Sequence, residues 1–409
     1  MNINRPIQDT ARASRRRPPL AGAAALLAVA VAIAGSEAGA QERCEGTELT
    51  SGLQLPVAIT QTNLGNLLVS ESGTMVPNTG RISIVDLAGN RRPLLEGLPS
   101  GLSDVGEPAG PAGLFLRGRT LYVALSVGDV GVAGPVMGTT VPNPNPLSSP
   151  LFSSVLAIHF SANVERMTSG FTLSLADHAT LASGQPVNLT HGRGETITIE
   201  RVADFENYIP RPLPFFEGNV QLSNPFDLVA VADRLYVTDG GRNLVWQVDI
   251  STGDHSVLAS FPPVPNPVTP FGPPLIDAVP TGIARSGRQL LVTLFRGFPF
   301  PPLTSVVEEI DPGTGAHAPI IEELKTAIDV FPQSEHGATE YLVLQHISGA
   351  PGPPPLAGPG MLLRITPGQT PQLVSDCLHR ATSMVVDGRS GIVYVTELVT
   401  GRIVAIPLP

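Results

Sequence analysis

The stretch SNPFDLVAVADRLYVTDGGRNLVWQVD, residues 223–249, indicates the fold because its pattern recurs along the chain. It opens on an X-Pro-x-small-apolar step at Asn224, continues into an apolar pentad that ends at Asp239, and closes on a third apolar run. Short runs of Val, Leu and Tyr, separated by Asp, Asn and Gly, are typical of strands rather than helices. The stretch therefore predicts a small antiparallel sheet.

The same step occurs six times, four times with proline and twice without it. Its copies begin at Leu55, Gly110, Asn224, Val279, Thr326 and Arg380. The pentads that follow are LLVSE (67–71), LYVAL (121–125), LYVTD (235–239), LLVTL (290–294), YLVLQ (341–345) and VYVTE (393–397). A third β-rich run follows each pentad and a fourth follows most of them. Four strands per unit, repeated at roughly 47–55 residues, predict an all-β chain that forms a six-bladed β-propeller.

The two ends of the chain complete each other. The sixth unit stops at Pro409 after its third strand, and residues 45–51 look like a detached fourth strand. Docking that strand on the last blade would cover an open sheet edge, so we expect a propeller closed by its N-terminal strand. Cys44 and Cys377 are the two cysteines, and a disulfide between them would fasten the closure. Two free thiols are the alternative.

One spacing breaks the repeat. The steps at Gly110 and Asn224 begin 114 residues apart, about twice the usual interval. We expect an insertion near residues 161–196 within a single propeller domain, residues 41–409. Residues 197–204 (ITIERVAD) would then supply the outer strand of the second unit. A seventh blade is the alternative.

Residues 1–40 are predicted to be a secretory signal peptide. An arginine-rich start precedes an apolar run at 20–35 and the cleavage pattern Ala38-Gly39-Ala40. Export to the periplasm or the medium follows, with a retained N-terminal anchor as the alternative. Removing five Arg, Asp9 and Glu37 leaves 20 basic and 33 acidic residues, a net charge of −13. Such a balance argues against nucleic acid and anionic membrane as partners, and we expect a monomer without stable membrane insertion.

Two longer stretches carry a family resemblance. Residues 224–249 resemble an NHL-type propeller repeat. GLPSGLSDVGEPAGPAGLFLRGRTLYVA (97–124), together with VADFENYI (202–209), is similar to the bacterial ScyD/ScyE family. The resemblance covers most of the mature chain and implies an exported, NHL-like six-bladed propeller. It implies no catalytic motif.

The loops divide unequally between the two faces of the predicted propeller. Loops from second to third strands, and from outer strands to the next blade, emerge on one face. They are long and proline-rich at 72–80, 126–152, 205–223, 262–279, 295–305 and 346–360. We call this side the loop-rich face. Function concentrates on loops held by a rigid scaffold, although purely protective loops are the alternative. The insertion is expected on the opposite face.

Aligned positions of the repeat converge on the loop-rich face. At the start of the innermost strands stand Ala58, Gly113, Asp227, Gly282, Asp329 and Ser383. The second strands end on Glu71, Leu125, Asp239, Leu294, Gln345 and Glu397. The acidic members of the two sets, Asp227, Asp329, Glu71, Asp239 and Glu397, are candidate ligands for Ca²⁺ or Mg²⁺. A crowded pair could instead serve as a general acid and base. The competing interpretation is that acids at strand ends bind backbone amides of the following turn.

Two functions fit these features. The first is a binding or scaffold protein that holds a small molecule, a glycan or a protein on its loop-rich face. The alternative is a metal-dependent hydrolase or lyase similar to gluconolactonases, using the five acids. Asn224-Pro225 and Pro280-Thr281-Gly282 stand where that family has an Asn-Gly step, which weakens the alternative. A quinone-dependent sugar dehydrogenase is a third possibility without a basic, histidine-rich signature. His346 and His379 fall on the same face and are interpreted as ordinary surface or core histidines.

Overall fold

A computed structural model of the chain describes residues 44–192, 194–335, 338–348 and 358–408. The predicted signal peptide, residues 1–40, lies outside the described residues. Within them, six sheets, each with four antiparallel strands and two with a fifth strand, follow one another along the chain. The prediction of a six-bladed β-propeller is confirmed, and the described residues form no seventh blade.

Each blade has an innermost, a second, a third and an outermost strand. The innermost strands are Pro56–Gln61, Pro111–Arg117, Pro225–Val231, Pro280–Ser286, Ala327–Glu335 and Ala381–Val386. The second strands are Leu67–Glu71, Thr120–Leu125, Arg234–Asp239, Gln289–Leu294, Ala338–Gln345 and Ile392–Glu397. The third strands are Gly80–Val85, Ser154–His159, Leu244–Asp249, Ser305–Ile310, Gly360–Ile365 and Arg402–Pro407. The outermost strands are Arg91–Leu98, Thr196–Asp204, His255–Ser260, His317–Leu324, Gln372–Leu378 and, in blade 6, Thr47–Thr50.

Shorter strands pair on the loop-rich face. These hairpins are Gly101–Leu102 with Pro108–Ala109, Gly131–Ala133 with Thr140–Pro142, Tyr208–Pro210 with Val220–Leu222, and Val264–Pro265 with Leu275–Ile276. Backbone pairing inside a loop satisfies amides that would otherwise depend on water. The loops are therefore partly structured.

The core lies between neighbouring blades. Every residue of the second strand Leu67–Glu71 is buried, because each sheet packs against another sheet on both faces. Burial on both faces explains why the six pentads read as nearly continuous apolar runs rather than as an alternating pattern. Hydroxyl groups link the blades near the channel: Ser70 donates to the carbonyl of Ala112 at 2.5 Å, and Thr238 donates to that of Thr281 at 2.5 Å.

The ring closes as the sequence predicts. Thr47–Thr50 pairs antiparallel with Arg402–Pro407 and supplies the outermost strand of blade 6. Cys44 and Cys377 form a disulfide with their Cα atoms 5.2 Å apart, which ties this strand to blade 5. On the inner side, Thr382 of blade 6 donates to the carbonyl of Pro56 in blade 1 at 3.2 Å. The first and last blades are thus joined at the rim and at the channel.

The segment between the third and outermost strands of blade 2 holds two helices, α1 (Ala162–Met167) and α2 (Leu175–Ala182). Its strand Phe171–Thr172 adds a parallel fifth strand to blade 1, and Val187–Thr190 adds an antiparallel one to blade 2. The segment contacts the turns opposite the loop-rich face and then runs along the outer side of blades 1 and 2. Neither helix in the described part of the chain is long and apolar enough to cross a membrane.

Candidate functional site

The six positions at the start of the innermost strands meet at the central channel. Together they line one small cavity: Ala58, Gly113, Asp227, Gly282, Asp329 and Ser383. The volume open to the centre of a water molecule is about 10 Å³, room for about one water. Alignment of the repeat thus correctly placed the two aspartates together, and the channel is too narrow there for an organic substrate.

Glycines make space for the two acids. A Cβ atom on Gly113 would lie 2.4 Å from the Cα atom of Asp227, and one on Gly282 would lie 2.7 Å from that of Asp329. Contacts this short with backbone atoms cannot be relieved by moving a side chain. Around the channel, the blades that carry an aspartate therefore follow blades that carry glycine.

Both aspartates bind the blade that follows their own. Asp227 accepts a hydrogen bond from the backbone N–H of Ile283 at 3.1 Å. Asp329 accepts from the N–H of Met384 at 2.8 Å and from the hydroxyl of Ser383 at 3.1 Å. The pair therefore joins blade 3 to blade 4 and blade 5 to blade 6 at the channel wall.

Crowding at the channel keeps a proton on this pair. Burial and, after it, repulsion from the charge of Asp329 raise the pKa of Asp227 to about 8, against hydrogen bonds from Ile283 and Leu228 that lower it. Burial also raises the pKa of Asp329, to about 6, although hydrogen bonds from Met384 and Val330 oppose the rise. At pH 7 the pair therefore holds one proton, a protonated acid beside an ionised one. Such a pair can donate or accept a proton only for a group small enough to reach it from the loop-rich face.

The other three candidate acids do not line this cavity. Glu71, Asp239 and Glu397 are fully buried at the ends of their second strands. Each accepts a hydrogen bond from a backbone N–H of the linker just before the innermost strand of its own blade. The donors are Gln54, Asn224 and His379, and in blade 5 Gln345 accepts in the same way from Lys325. The three acids thus hold the linker that precedes their own blade, rather than the following turn named by the competing interpretation. Of the three, only Asp239 also accepts from a backbone N–H of its following turn, that of Arg242 at 3.0 Å.

Arginine and indole N–H groups also donate hydrogen bonds to these three carboxylates. Arg81 pairs with Glu71 at 2.8 Å, Trp246 donates to Asp239 at 3.0 Å, and Arg402 pairs with Glu397 at 2.5 Å. Among the described residues no cluster of three or more His, Cys, Asp or Glu side chains could hold a metal ion. Asp227 and Asp329 are therefore the pair of acids to which a cation hypothesis applies.

One buried pair has the composition of a nucleophile and its base but lacks access. Ser149 lies 3.0 Å from Nδ1 of His178, whose Nε2 lies 2.8 Å from the carbonyl oxygen of Gly97. Both side chains are essentially inaccessible to solvent. The pair binds α2 to the neighbouring blades, and burial lowers the pKa of His178 so that it stays neutral.

Exposed apolar side chains concentrate on the loop-rich face. Of the nineteen large hydrophobic side chains exposed in the described part of the chain, thirteen lie on its loops. They are Met75, Val76, Leu102, Val105, Val136, Met137, Tyr208, Phe215, Phe271, Leu275, Phe298, Leu303 and Val399. Single exposed apolar residues are ordinary, but a concentration on one face marks an interaction surface. The sequence indicated this face by loop length, whereas the exposure of these side chains emerged only from the structure.

The fold and the channel define the class of protein: a six-bladed β-propeller, closed by its N-terminal strand and a disulfide, with an acidic pair at the channel mouth. No protein-family model matches the chain, and no curated protein matches its sequence significantly.

Solved structures with a similar shape include three enzymes. Virginiamycin B lyase from Staphylococcus aureus, an inactive variant with quinupristin, is 13% identical with a TM-score of 0.45; the match covers 89% of this chain and 99% of the lyase. The PQQ-bound aldose sugar dehydrogenase of Streptomyces coelicolor is 15% identical with a TM-score of 0.46, over 90% of this chain and 99% of the enzyme. The aldose sugar dehydrogenase of Escherichia coli is 11% identical with a TM-score of 0.48, over 88% and 98%. Similarity at this level says nothing of what this chain binds or catalyses.

Proposed function

We propose that the protein is an exported propeller of the ScyD/ScyE type that binds a small molecule, a glycan or a protein on its loop-rich face. The observation that supports a binding role is the concentration of exposed apolar side chains on that face. Water contact with so much apolar surface is unfavourable, and a bound partner would relieve it. The rigid ring below the face holds its loops in place.

Export is the second part of the proposal. Disulfides persist in oxidising compartments and are rare in the bacterial cytosol, and the Cys44–Cys377 bridge agrees with such a location. The predicted cleavage after Ala40 would release a mature chain that starts near Gln41. Mass spectrometry of the protein recovered from the periplasm or medium tests this: an N-terminus near Gln41 is expected, and an intact residue 1–40 segment would contradict export by a cleaved signal.

A photo-crosslinking amino acid on either face tests the binding role. We would place it at Met137, which is 98% exposed on the loop-rich face, and at Leu87 on a turn of the opposite face. After irradiation in the producing cells, intact-mass analysis of purified protein should show a discrete adduct at position 137 and none at 87. Equal adducts at both positions would overturn the proposal, and the absence of an adduct at position 137 would exclude a protein or glycan that covers the face.

A metal-dependent hydrolase or lyase is the second candidate, favoured by the meeting of Asp227 and Asp329 in one cavity. Ca²⁺ or Mg²⁺ would need further oxygen ligands besides these two carboxylates. Elemental analysis and thermal melting, with and without chelation, test it. A stoichiometric ion that is lost in Asp227→Ala would favour this candidate, whereas no bound ion and identical melting would exclude it.

A further inference from the structure

A row of aromatic side chains crosses the loop-rich face over blades 4 and 5. Ring centroids are 5.5 Å apart from Phe271 to Phe298, 6.1 Å from Phe298 to Phe300, 5.8 Å from Phe300 to Phe295, and 5.7 Å from Phe295 to His346. Each pair is tilted or edge-on, the geometry that aromatic rings prefer. Phe271 and Phe298 are about half exposed, whereas Phe295 and Phe300 are more buried. The row thus runs from exposed rings to more deeply buried ones.

A cation stands at the deep end of the row. Nδ1 of His346 lies 2.8 Å from the carbonyl oxygen of Ala381, so this nitrogen carries the proton. Nε2 is then an acceptor, and it lies 3.4 Å from Nη1 of Arg380. Burial lowers the pKa of His346 to about 4, so the ring is neutral at pH 7 and does not repel the guanidinium. His346 therefore acts as a positioning residue for Arg380.

The guanidinium of Arg380 has N–H donors that no described residue uses. Among the described residues it forms no ion pair within 4.0 Å and no other hydrogen bond. Glu107 senses the charge of Arg380: burial raises the pKa of this carboxyl, and Arg380 opposes the rise. A guanidinium with free donors beside apolar rings favours an anionic group attached to an apolar body.

The loop that carries Phe295, Phe298 and Phe300 is held in an unusual backbone shape. Arg296, Phe300 and Leu303 adopt positive φ angles of 74°, 58° and 63°. The buried guanidinium of Arg296 fixes the loop through a 2.9 Å hydrogen bond from Nε to the carbonyl of Thr304. Non-glycine residues in this region are uncommon and cluster at ligand clamps and other functional sites. These three rings are therefore presented by a constrained loop.

From this juxtaposition we propose that Phe271, Phe298, Phe300, Phe295, His346 and Arg380 form a site for a small molecule with a flat apolar body and one anionic group. The body lies along the rings and the anion contacts Arg380. This inference rests on the proposed binding role of the loop-rich face and names the class of ligand. Neutral flat molecules and uncharged sugars are the competing occupants.

Fluorescence titration with 1-anilinonaphthalene-8-sulfonate tests the site, since this probe joins an aromatic body to one sulfonate. Wild type should bind it with a defined stoichiometry. Arg380→Gln should weaken binding about tenfold, the value of a charge-assisted hydrogen bond, and Phe298→Ser should weaken it comparably. The neutral parent, N-phenyl-1-naphthylamine, should lose affinity in Phe298→Ser but not in Arg380→Gln.

Two matched controls locate the effect. Arg389→Gln removes one exposed positive charge on the opposite face, and Phe215→Ser removes an exposed ring elsewhere on the loop-rich face. Both should bind the probe as wild type does. Absence of binding to wild type, or equal losses in the controls, would overturn the site. Phe298 is exposed, so its variant should remain folded even if Arg380→Gln melts early.

The crosslinking result keeps the two proposals separate. An adduct at position 137, together with probe affinity that is the same in wild type and Arg380→Gln, would contradict this site and leave the binding role intact. Probe binding that depends on Arg380, without any adduct at position 137, would instead support a small-molecule site and remove the argument for a broader binding face.

Discussion

Asp227 couples the protonation of the channel to the stability of the ring. Its pKa is about 8 in the folded protein against an ordinary value of 3.8. Between these values the folded state binds more protons than the unfolded chain, so this group's contribution to stability decreases as pH rises through 8. The protonated carboxyl is the form that suits the buried channel.

Asp227→Asn should therefore change the pH dependence of melting. Asparagine cannot ionise and keeps an oxygen for the N–H of Ile283. The variant should melt close to wild type near about pH 5 and above it near about pH 9, because only the wild type then carries a second buried charge beside that of Asp329. The control is Asp233→Asn, an exposed acid on a turn. If the difference in melting temperature between variant and wild type is the same at both pH values, the raised pKa is wrong.

A substitution at Gly282 tests whether the channel has room for a Cβ atom there. In Gly282→Ala the new Cβ atom would lie 2.7 Å from both the Cα atom of Asp329 and the carbonyl oxygen of Ile328. Backbone would have to shift, so the free energy of unfolding should fall by about 1–3 kcal/mol. Gly388→Ala, where nothing lies within 4 Å, is the matched control. Chemical denaturation measures the free energy of unfolding of both variants. Equally small losses in the two would contradict steric crowding at the channel.

Among single residues, the sequence predicts only those site members that stand at equivalent positions of the repeat. Asp227 and Asp329 stand at the same position of two units, and a closed ring brings equal positions together. Arg380, His346 and the four phenylalanines occupy unequal positions on separate loops. Their proximity depends on loop conformations, including positive φ angles that residue type does not predict. Only the first group could be assigned from spacing.

Among the elements, α1 is held by one buried side chain. Glu165 is fully buried and accepts hydrogen bonds from Thr62, from Asn66 at 2.9 Å, and from the guanidinium of Arg119. These partners come from blades 1 and 2. A helix of six residues has little stability of its own, so such contacts decide whether it forms.

Glu165→Ala should loosen α1 and destabilise the fold. Arg119 and Asn66 would lose their partner, and the free energy of unfolding should fall by about 2–4 kcal/mol. Hydrogen exchange should speed up at residues 162–168 more than in the blade strands. Glu200→Ala removes an exposed acid that pairs with His159 at 2.9 Å, and it should change stability by less than about 1 kcal/mol. Uniform faster exchange over the whole ring would contradict a local role.

The elements themselves divide into those that the sequence predicts and those that it does not. All six pentads fall within the observed second strands, since continuous burial selects Val, Leu and Tyr there. The helices and extra strands between residues 160 and 196 have no such periodic pattern. They form because Glu165 and His178 find partners in two blades, and those contacts are not visible along the chain.

For the whole molecule, closure is the step that converts six sheets into one ring. Thr47–Thr50 must find Arg402–Pro407 across nearly the full length of the chain. The disulfide joins residues 333 apart, so it restricts the unfolded chain strongly. On the loop-entropy view, such a crosslink stabilises the folded state by up to about 5–6 kcal/mol. A ring without the bridge can open at the junction of blades 6 and 1.

The double variant Cys44→Ser, Cys377→Ser should accordingly melt well below the oxidised wild type, and hydrogen exchange should rise first in Thr47–Thr50 and its partner strand. Reducing agent should lower the melting temperature of wild type toward that of the variant and leave the variant unchanged. Comparing the variant with the reduced wild type separates the effect of losing the disulfide from side effects of the serine substitutions or of the reductant. If the variant and the oxidised wild type melt together, the hydrogen bonds of the N-terminal strand and the Thr382 contact to Pro56 close the ring unaided. The disulfide would then be dispensable for the fold, and its contribution would be limited to resisting extraction of the strand.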